Sequence, residues 1–319
     1  MRAFRQEWGV ALVLAVLWAL LALLAPGFFQ PRQLLSLATA TAPVLVAALG
    51  VALVILGREI DISIGSQFAL CSVAVGLAAQ RGAPPVLLLL LAPVCGALMG
   101  LVNGALVAGA RLPSIVVTLA TMVTWREALR WAREGEFVRD LPERFQWFGL
   151  GQQSGQWAVV AAGVAVLGAF WVLTSHTAGG RFLYAVGSDP ESARLAGIRP
   201  RWMTLWSFVG CGMLVGGAAL LNAVRFTDVD PKTGTGLEMQ AIAAAVVGGV
   251  AISGGRGHAL GVLAGVALLA SIGPALVFLK FPPQWERALQ GAVILAAVAG
   301  ERLLERRRAN NAQQREARR

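Results

Sequence analysis

Charged side chains are scarce in this sequence: Asp, Glu, Lys and Arg together make up 14% of its 319 residues. An ordinary soluble domain contains about 25% of these residues, and a surface this poor in charge does not stay in contact with water. Hydrophobic residues make up 57% of the chain, and its mean hydropathy is +0.67. A soluble enzyme or a soluble binding domain is therefore excluded, and the surface is predicted to face lipid.

Residues that carry common chemistries are equally rare. The two lysines, Lys232 and Lys280, stand outside any G-x-x-x-x-G-K-[ST] loop, so the sequence has no ATP-binding motif of its own. The three cysteines, Cys71, Cys95 and Cys211, lie inside apolar runs, which argues against disulfides or zinc and favours packing roles. The two histidines form no H-E-x-x-H pattern. We therefore expect no metal, no cofactor and no catalytic set.

Long apolar runs fill the chain. Charges divide it into apolar segments near residues 8–25, 34–57, 62–80, 84–110, 112–125, 157–175, 203–224, 237–254, 258–279 and 288–304. A helix needs about 20 apolar residues to cross a bilayer, so the chain is predicted to be an all-α, polytopic membrane bundle of about ten transmembrane helices in a single domain, 1–319. The run at 84–110 exceeds one straight crossing, and we expect it to tilt or to break at Pro93.

The basic residues indicate an orientation rather than a nucleic-acid partner. The formal charge is +10, but Arg and Lys concentrate between the apolar runs and in the tail. With the N-terminus inside, most fall on the cytoplasmic side, which favours cytoplasmic placement of both termini. The loop 176–202 and the basic tail 305–319 are then cytoplasmic. The loop 126–156, which mixes charges with aromatic residues, is then periplasmic and suits either interfacial anchoring or binding of a soluble partner.

Several apolar runs carry small residues four positions apart. Such stripes let two helix backbones approach closely in lipid, and they predict tight packing without indicating a substrate. They comprise Gly96, Gly100 and Gly104, then Gly212 and Gly216, and finally Gly261 and Gly265.

The loop 176–202 contains the strongest local signal. Ser188 and Glu191 have the spacing of a capping box, Pro190 suits a first turn, and Gly197 suits a C-cap. A helix of under two turns is not stable alone in water, so it must dock on something. It is either a surface helix resting on its own bundle or a binding element for a cytoplasmic motor subunit. The residues assigned to this element are Ser188, Asp189, Pro190, Glu191, Arg194 and Gly197.

Three places put polar residues within or beside apolar runs: Asp61 and Ser63 where the third run begins, Asn103 in the fourth, and Glu238 with Gln240 at the start of the eighth. A charge at the bilayer centre costs on the order of 2.5–3.5 kcal/mol, so such groups lie at the membrane edge or line a protein-walled cavity. These five residues are candidates for a translocation pathway. Interfacial or capping roles are the alternative, and for Asn103 a hydrogen bond to a neighbouring helix.

Three longer motifs carry a resemblance: G-R-E-I-D-I-S-I-G-S from Gly57, L-Y-A-V-G-S-D-P-E-S-A-R-L-A-G-I from Leu183, and G-L-E-M-Q-A-I-A-A-A-V-V-G-G from Gly236. With them, nearly the whole chain resembles the permeases of bacterial monosaccharide importers of the ATP-binding-cassette (ABC) class, the ribose-type family. Arg58-Glu59 departs from that family's usual Gly-Gly pair. This pair, with T-G-T-G-L-E-M, is closer to the rhamnose and autoinducer-2 permeases.

The resemblance implies a permease subunit of an importer in the bacterial inner membrane. Its partners would be a second permease, a periplasmic sugar-binding protein, and a cytoplasmic ATP-binding subunit that holds the helix at 188–197. Rhamnose or autoinducer-2 is favoured as substrate, with ribose-like sugars next. The rival interpretation is a secondary transporter driven by an ion gradient. It is disfavoured because such proteins place ionisable groups at mid-membrane, and these runs are nearly free of charge in their middles.

Overall fold

The computed structural model describes residues 4–296 and 299. Its helices are α1 (Phe4–Leu24), α2 (Pro31–Leu56), α3 (Ile64–Gln80), α4 (Pro85–Gly104), α5 (Ser114–Arg133), α6 (Gln152–His176), α7 (Ala178–Ser188), α8 (Pro190–Leu195), α9 (Pro200–Ala223), α10 (Leu237–Val247) and α11 (Ala259–Phe278). Residues 285–296 form a further helix, α12. Two residues, Val138 and Val229, form an isolated antiparallel bridge.

The predicted all-α membrane bundle is confirmed. Within the described part of the chain, five helices are long and apolar enough to cross a membrane: α2, α4 together with residues 105–109, α6, α9 and α11. Three shorter apolar stretches, Gly9–Leu24, Ile64–Gln80 and Leu237–Val247, accompany them. Helix α2 is the centre of the bundle, since every residue from Leu45 to Leu56 is 6% exposed or less. The lipid-facing rim is formed by helices such as α4, which exposes Leu87, Leu90 and Leu98.

The tightest helix pair is α4 against α9, and its contact follows the predicted glycine stripes. A Cβ placed on Gly96 would overlap the carbonyl oxygen of Gly212, and a Cβ on Gly212 would overlap that of Gly96. Gly216 is equally close to the Ala92 carbonyl. Gly265 makes the corresponding approach to Ala244, which joins α11 to α10. The prediction of tight packing from small residues is confirmed at both pairs.

Helix α4 does not break at Pro93, and it ends in wider, π-helical turns. It continues through Pro93, so the alternative of a break there is wrong. The excess length lies in Ala105–Gly109, where the backbone forms π-helical turns before Arg111 adopts a left-handed conformation at φ 59°. π-helical turns add residues to a helix without ending it, so α4 and Ala105–Gly109 form one continuous stretch of 25 residues.

Two predicted boundaries are wrong. The run at 112–125 continues as α5 to Arg133, so the predicted loop 126–156 begins only after that residue and ends at α6, which starts at Gln152. The run at 237–254 forms only α10, which has 11 residues and a length of about 16 Å. That is half of a hydrocarbon core of about 30 Å. Apolar composition alone could not distinguish a whole crossing from half of one.

The bundle has two ends, which we name by their contents. The α7–α8 end holds the short helices that were predicted as the loop 176–202. The far end holds the loop 134–151, where Val138 pairs with Val229 and Phe145 is buried. Phe145 therefore packs inside the protein, whereas Trp131 is 85% exposed. The last predicted run, 288–304, is helical in its described part, and the tail 305–319 lies outside the described residues.

Candidate functional site

Helix α3 begins inside the bundle. After α2 ends, the chain runs without helix over residues 57–63, and the backbone N–H of Ile60 donates to Ser114 Oγ at the start of α5. Only five residues later, Gly65 lies against the guanidinium of Arg126. Ser114 and Arg126 are twelve residues apart on one helix, about 18 Å. The N-terminus of α3 is therefore deep within the bundle, and α3 runs from there to the far end.

Helix α10 also begins within the bundle, but the chain reaches its N-terminus from the far end. Residues 224–236 leave the end of α9 at the far end and follow α3 backwards, with Val229 beside Gly76 and Gly234 beside Phe68. Gly76 and Gly65 are eleven residues apart on α3, so this segment descends about 16 Å before α10 starts. After α10, the loop 248–258 lies at the α7–α8 end, where Gly255 N–H donates to Leu56 O at 3.0 Å.

The two N-termini meet. A Cβ built on Gly65 would lie 2.6 Å from the Gly234 carbonyl oxygen and would overlap the Glu238 carboxylate. Only glycine is small enough at position 65 to let the segments touch. Because the N-terminus of a helix carries a partial positive charge, two such ends face each other here with a carboxylate between them. We call this place the junction.

Asp61 is the hub of a buried polar network beside the junction. Its carboxylate accepts hydrogen bonds from the backbone N–H and the hydroxyl of Ser63, at 2.8 and 2.6 Å. The amide groups of Gln67 and Asn103 donate to Asp61 Oδ2 at 3.0 and 3.4 Å, and both donate to Ser63 Oγ at 2.8 Å. All four residues are 0% exposed. The network joins the 57–63 segment, α3 and α4. The partners of Asn103 lie in the non-helical segment before α3 and not on a neighbouring helix.

Some acceptors in and near this network are unpartnered within the described part of the chain. They are Gln67 Oε1, Asn103 Oδ1 and Glu238 Oε2, each shielded from solvent. The other Glu238 oxygen accepts from Gly236 N–H at 3.2 Å. Gln240 is half-buried on α10 and makes no side-chain hydrogen bond to these groups among the described residues. A buried unpartnered acceptor costs about 1–3 kcal/mol, so the junction can accept hydrogen bonds from a hydroxylated solute or from water.

Arg126 supplies the donors of the junction. Its Nη1 donates to the Thr233 carbonyl and to Thr235 Oγ1, each at 3.2 Å. Thr233 also lines a cavity of ≈ 330 Å³ toward the far end, together with Ser72, Phe137, Asn222, Phe226 and Asp228. Thr233 is thus shared between this cavity and the hydrogen bonds of Arg126. The sequence predicts Arg126 in an external loop; its half-buried position on α5 is a correction.

The short helix at the α7–α8 end exists, with a different cap. Asp189, not Ser188, is its N-cap: Oδ1 accepts from the N–H groups of Glu191 and Ser192 at 3.0 and 3.2 Å. Ser188 instead ends α7. Pro190 is the first helical residue, as predicted. Gly197 follows the C-cap, with a left-handed φ of 83°. The predicted capping box is thus wrong by one residue, because α7 already uses Ser188.

Hydrogen bonds stabilise the ionised carboxylate of Asp189, the N-cap of α8. The Ser192 hydroxyl donates to Asp189 at 2.5 Å, and this bond, with the two backbone N–H donors, lowers the pKa of Asp189; Arg58 adds a smaller lowering. Glu191 and Arg194 form an ion pair at 2.5 Å, which lowers the pKa of Glu191. Leu195 is 76% exposed, whereas Ala193 is buried. One side of α8 therefore packs on the bundle, and the other presents an apolar residue between charges.

Residues 33–298 match the family described as the permease component of the branched-chain amino acid transport system. The chain belongs to this family of importer permeases. It is the membrane permease of an ABC importer, a multi-pass inner-membrane transport subunit, and its resemblance to ribose-type permeases is confirmed.

Relatives of this permease align over nearly its whole length. The autoinducer 2 import system permease protein LsrC of Enterobacter sp. (strain 638) is 35% identical over 92% of this chain and 85% of its own. The protein of the same name from Klebsiella pneumoniae is 33% identical over 92% and 85%. That from Photorhabdus luminescens is 31% identical over 92% and 88%. No solved structure matches the chain.

Two residues of this permease's junction escaped prediction from the sequence. Gln67 lies in the apolar run of α3, four positions after Ser63, and that helical spacing was the available signal. Arg126 had no such signal, because a charge that follows an apolar run is expected to end it. The predicted residues Asp61, Ser63 and Asn103 share one network, and Glu238 faces Gly65 close by.

Proposed function

We propose that this permease moves a small polyhydroxylated solute of the autoinducer-2 or rhamnose class, with ribose-like sugars next, through the junction into the cytoplasm. The observation that carries the proposal is the meeting of the α3 and α10 N-termini, halfway through the bundle, around Arg126 and Glu238. Broken helices whose ends face each other place polar groups at mid-membrane without exposing backbone to lipid.

The chemistry of the junction suits such a solute. Arg126 offers N–H donors, and Glu238 and the amides of Gln67 and Asn103 offer acceptors. A hydroxyl group both donates and accepts, so a polyol satisfies both sets, whereas an apolar amino acid side chain would leave them unpaired. Relatives whose names specify autoinducer 2 import support the same substrate class. Asp61, Ser63, Asn103, Glu238 and Gln240, with Arg126, are the proposed pathway residues.

The proposed orientation places both termini and residues 176–202 in the cytoplasm and the loop 134–151 in the periplasm. A periplasmic binding protein would then deliver solute to the cavity at the far end, beside Asp228 and Thr233. Single cysteines at Ser188 and Ser154, both exposed, should react from opposite sides with an impermeant maleimide in a background without the native cysteines. Reaction of both from one side would contradict the orientation.

We assign α8 as the coupling helix, bound by an ATP-binding subunit. Helix α8 has six residues and is too short to persist alone in water, and its outer side, with Glu191 and Arg194, is left for a partner to bind. The ion pair allows a matched test. Glu191→Arg and Arg194→Glu each destroy the pair, while the double swap restores it with inverted charges. If a partner binds these charges directly, all three variants should lose binding of the ATP-binding subunit. If the double swap restores binding, only the ion pair within α8 matters.

The experiment that tests the function is reconstitution in proteoliposomes with an ATP-binding subunit and a periplasmic binding protein of the same importer. We expect uptake of autoinducer-2 or rhamnose that requires ATP, and little uptake of a branched-chain amino acid. Uptake by the permease alone, driven by a proton or sodium gradient, would support the secondary transporter and contradict the proposal.

A further inference from the structure

The last turn of α7, just before the proposed coupling helix α8, packs on the bundle with backbone directly against backbone. Gly187, in the last turn of α7, is buried against the end of α2: a Cβ there would overlap the Leu56 carbonyl oxygen and lie 2.5 Å from Gly255 N. Gly255 N–H itself donates to Leu56 O at 3.0 Å. Three chain segments thus meet at one point, namely α7, the end of α2, and the loop 248–258.

Side chains around this point strengthen the same contact. The Tyr184 hydroxyl donates to the Gly257 carbonyl at 2.7 Å, which ties α7 to the loop a second time. A Cβ on Gly254 would lie 2.8 Å from the Gly187 carbonyl oxygen, and Gly254 has a left-handed φ of 80°. Substituents at either glycine would force the segments apart.

The three segments lead to both halves of the junction. Leu56 is followed directly by the segment 57–63, which carries Asp61 to the N-terminus of α3. The loop 248–258 follows α10, whose first turn holds Glu238. On the other side, α7 and α8 are separated by one residue, Asp189, which caps α8. The contacts around Gly187 therefore lie between the coupling helix and the two helices whose ends form the junction.

We infer that Gly187, with Tyr184, is the joint that transmits movement of the coupling helix to the α3 and α10 half-helices, and so opens and closes the junction. The inference rests on the proposed function. Backbone-to-backbone contact leaves no rotamer freedom to absorb a displacement, so α7 cannot move without moving Leu56 and Gly255. Both residues are positioning residues, since neither touches the proposed solute pathway.

The test is Gly187→Ala in the complete importer, with Gly179→Ala as its control. Gly179 lies on the same helix, but a Cβ there has an ordinary contact at 3.7 Å with Thr177 Oγ1. The readout is solute taken up per ATP hydrolysed, measured on assembled complexes. We expect Gly187→Ala to assemble with its ATPase and to lower this ratio about tenfold or more, and Gly179→Ala to leave it unchanged.

Tyr184→Phe provides a variant that preserves the fold, because it removes one hydroxyl group from a half-buried ring. Without the hydrogen bond from Tyr184 to Gly257, the uptake-to-hydrolysis ratio should fall about fivefold. If Tyr184→Phe, and Gly187→Ala where it assembles, keep the wild-type ratio, the joint is refuted while the importer stands. Absence of ATP-dependent uptake by the wild type would instead refute the proposed function.

Discussion

The α4–α9 interface and the junction lie in the same bundle and are built on opposite principles. Between α4 and α9, Gly96 and Gly212 bring two regular helices together, backbone against backbone, in an apolar setting. At the junction, Gly65 brings together two helix ends and two non-helical segments, and polar groups fill the space. In the first arrangement, the backbone groups are paired mainly within regular helices. The second leaves acceptors unpartnered, which suits a place where solute passes.

The largest effect is expected from filling the apolar interface. Gly212→Leu would drive a side chain into the α4 backbone, and overpacking of a close contact costs about 1–3 kcal/mol or more. We expect loss of folded permease, measured as yield of monodisperse protein in detergent. Gly217→Leu is the control on the same helix, because a Cβ there meets nothing within 4 Å. Equal yields of the two variants would show that the interface is loose.

Removing the hub of the polar network should cost both stability and transport. Asp61→Ala leaves the Ser63 hydroxyl and the Gln67 and Asn103 amides without their shared acceptor. Each buried unsatisfied group costs about 1–3 kcal/mol. We expect a lower thermal midpoint of the purified permease and lower uptake. Asp61→Asn keeps the shape and one acceptor and should be milder; a wild-type midpoint for Asp61→Ala would mean that water replaces the carboxylate.

Arg126 should affect transport more than folding. Arg126→Gln removes the donor to Thr233 and Thr235, and we expect uptake to fall about tenfold, the equivalent of about 1.4 kcal/mol of lost interaction. Arg130→Gln, one turn later, loses only an exposed pair with Glu127 and should transport normally. Comparable uptake by both variants, at matched amounts in the membrane, would remove Arg126 from the pathway.

The smallest effect is expected at the α8 cap. Asp189→Ala should lower ATPase binding severalfold, while Ser188→Ala should not, because the structure assigns the cap to Asp189. Since the pKa of Asp189 is lowered, the cap is fully present above the ordinary value of about 3.9 and is lost only as the pH falls through its depressed pKa. Binding ratios of the two variants, measured with purified subunits, should therefore be equal at pH 6 and pH 8.

The sequence predicted the apolar interface better than the junction, for a physical reason. Small residues at spacing four report a helix face directly, so Gly96 and Gly212 were identified before the structure. A helix that crosses only half of the membrane has no such sequence pattern. Helix α10 and the residues that follow it form one apolar run, 237–254, which has the composition of a full crossing. The depth of Arg126 depends on where α5 starts, at Ser114, and on which segments fold back beside it. Those are tertiary facts that local periodicity does not contain.

The central claim is that solute passes where α3 and α10 begin, and cysteine accessibility tests it most directly. In the assembled importer without native cysteines, Glu238→Cys should react with a small polar thiol reagent during ATP turnover, and saturating solute should slow that reaction. Ala219→Cys, on α9 and fully buried, should stay unreactive. An importer that turns over while Glu238→Cys remains as inert as Ala219→Cys, with or without solute, would contradict the account.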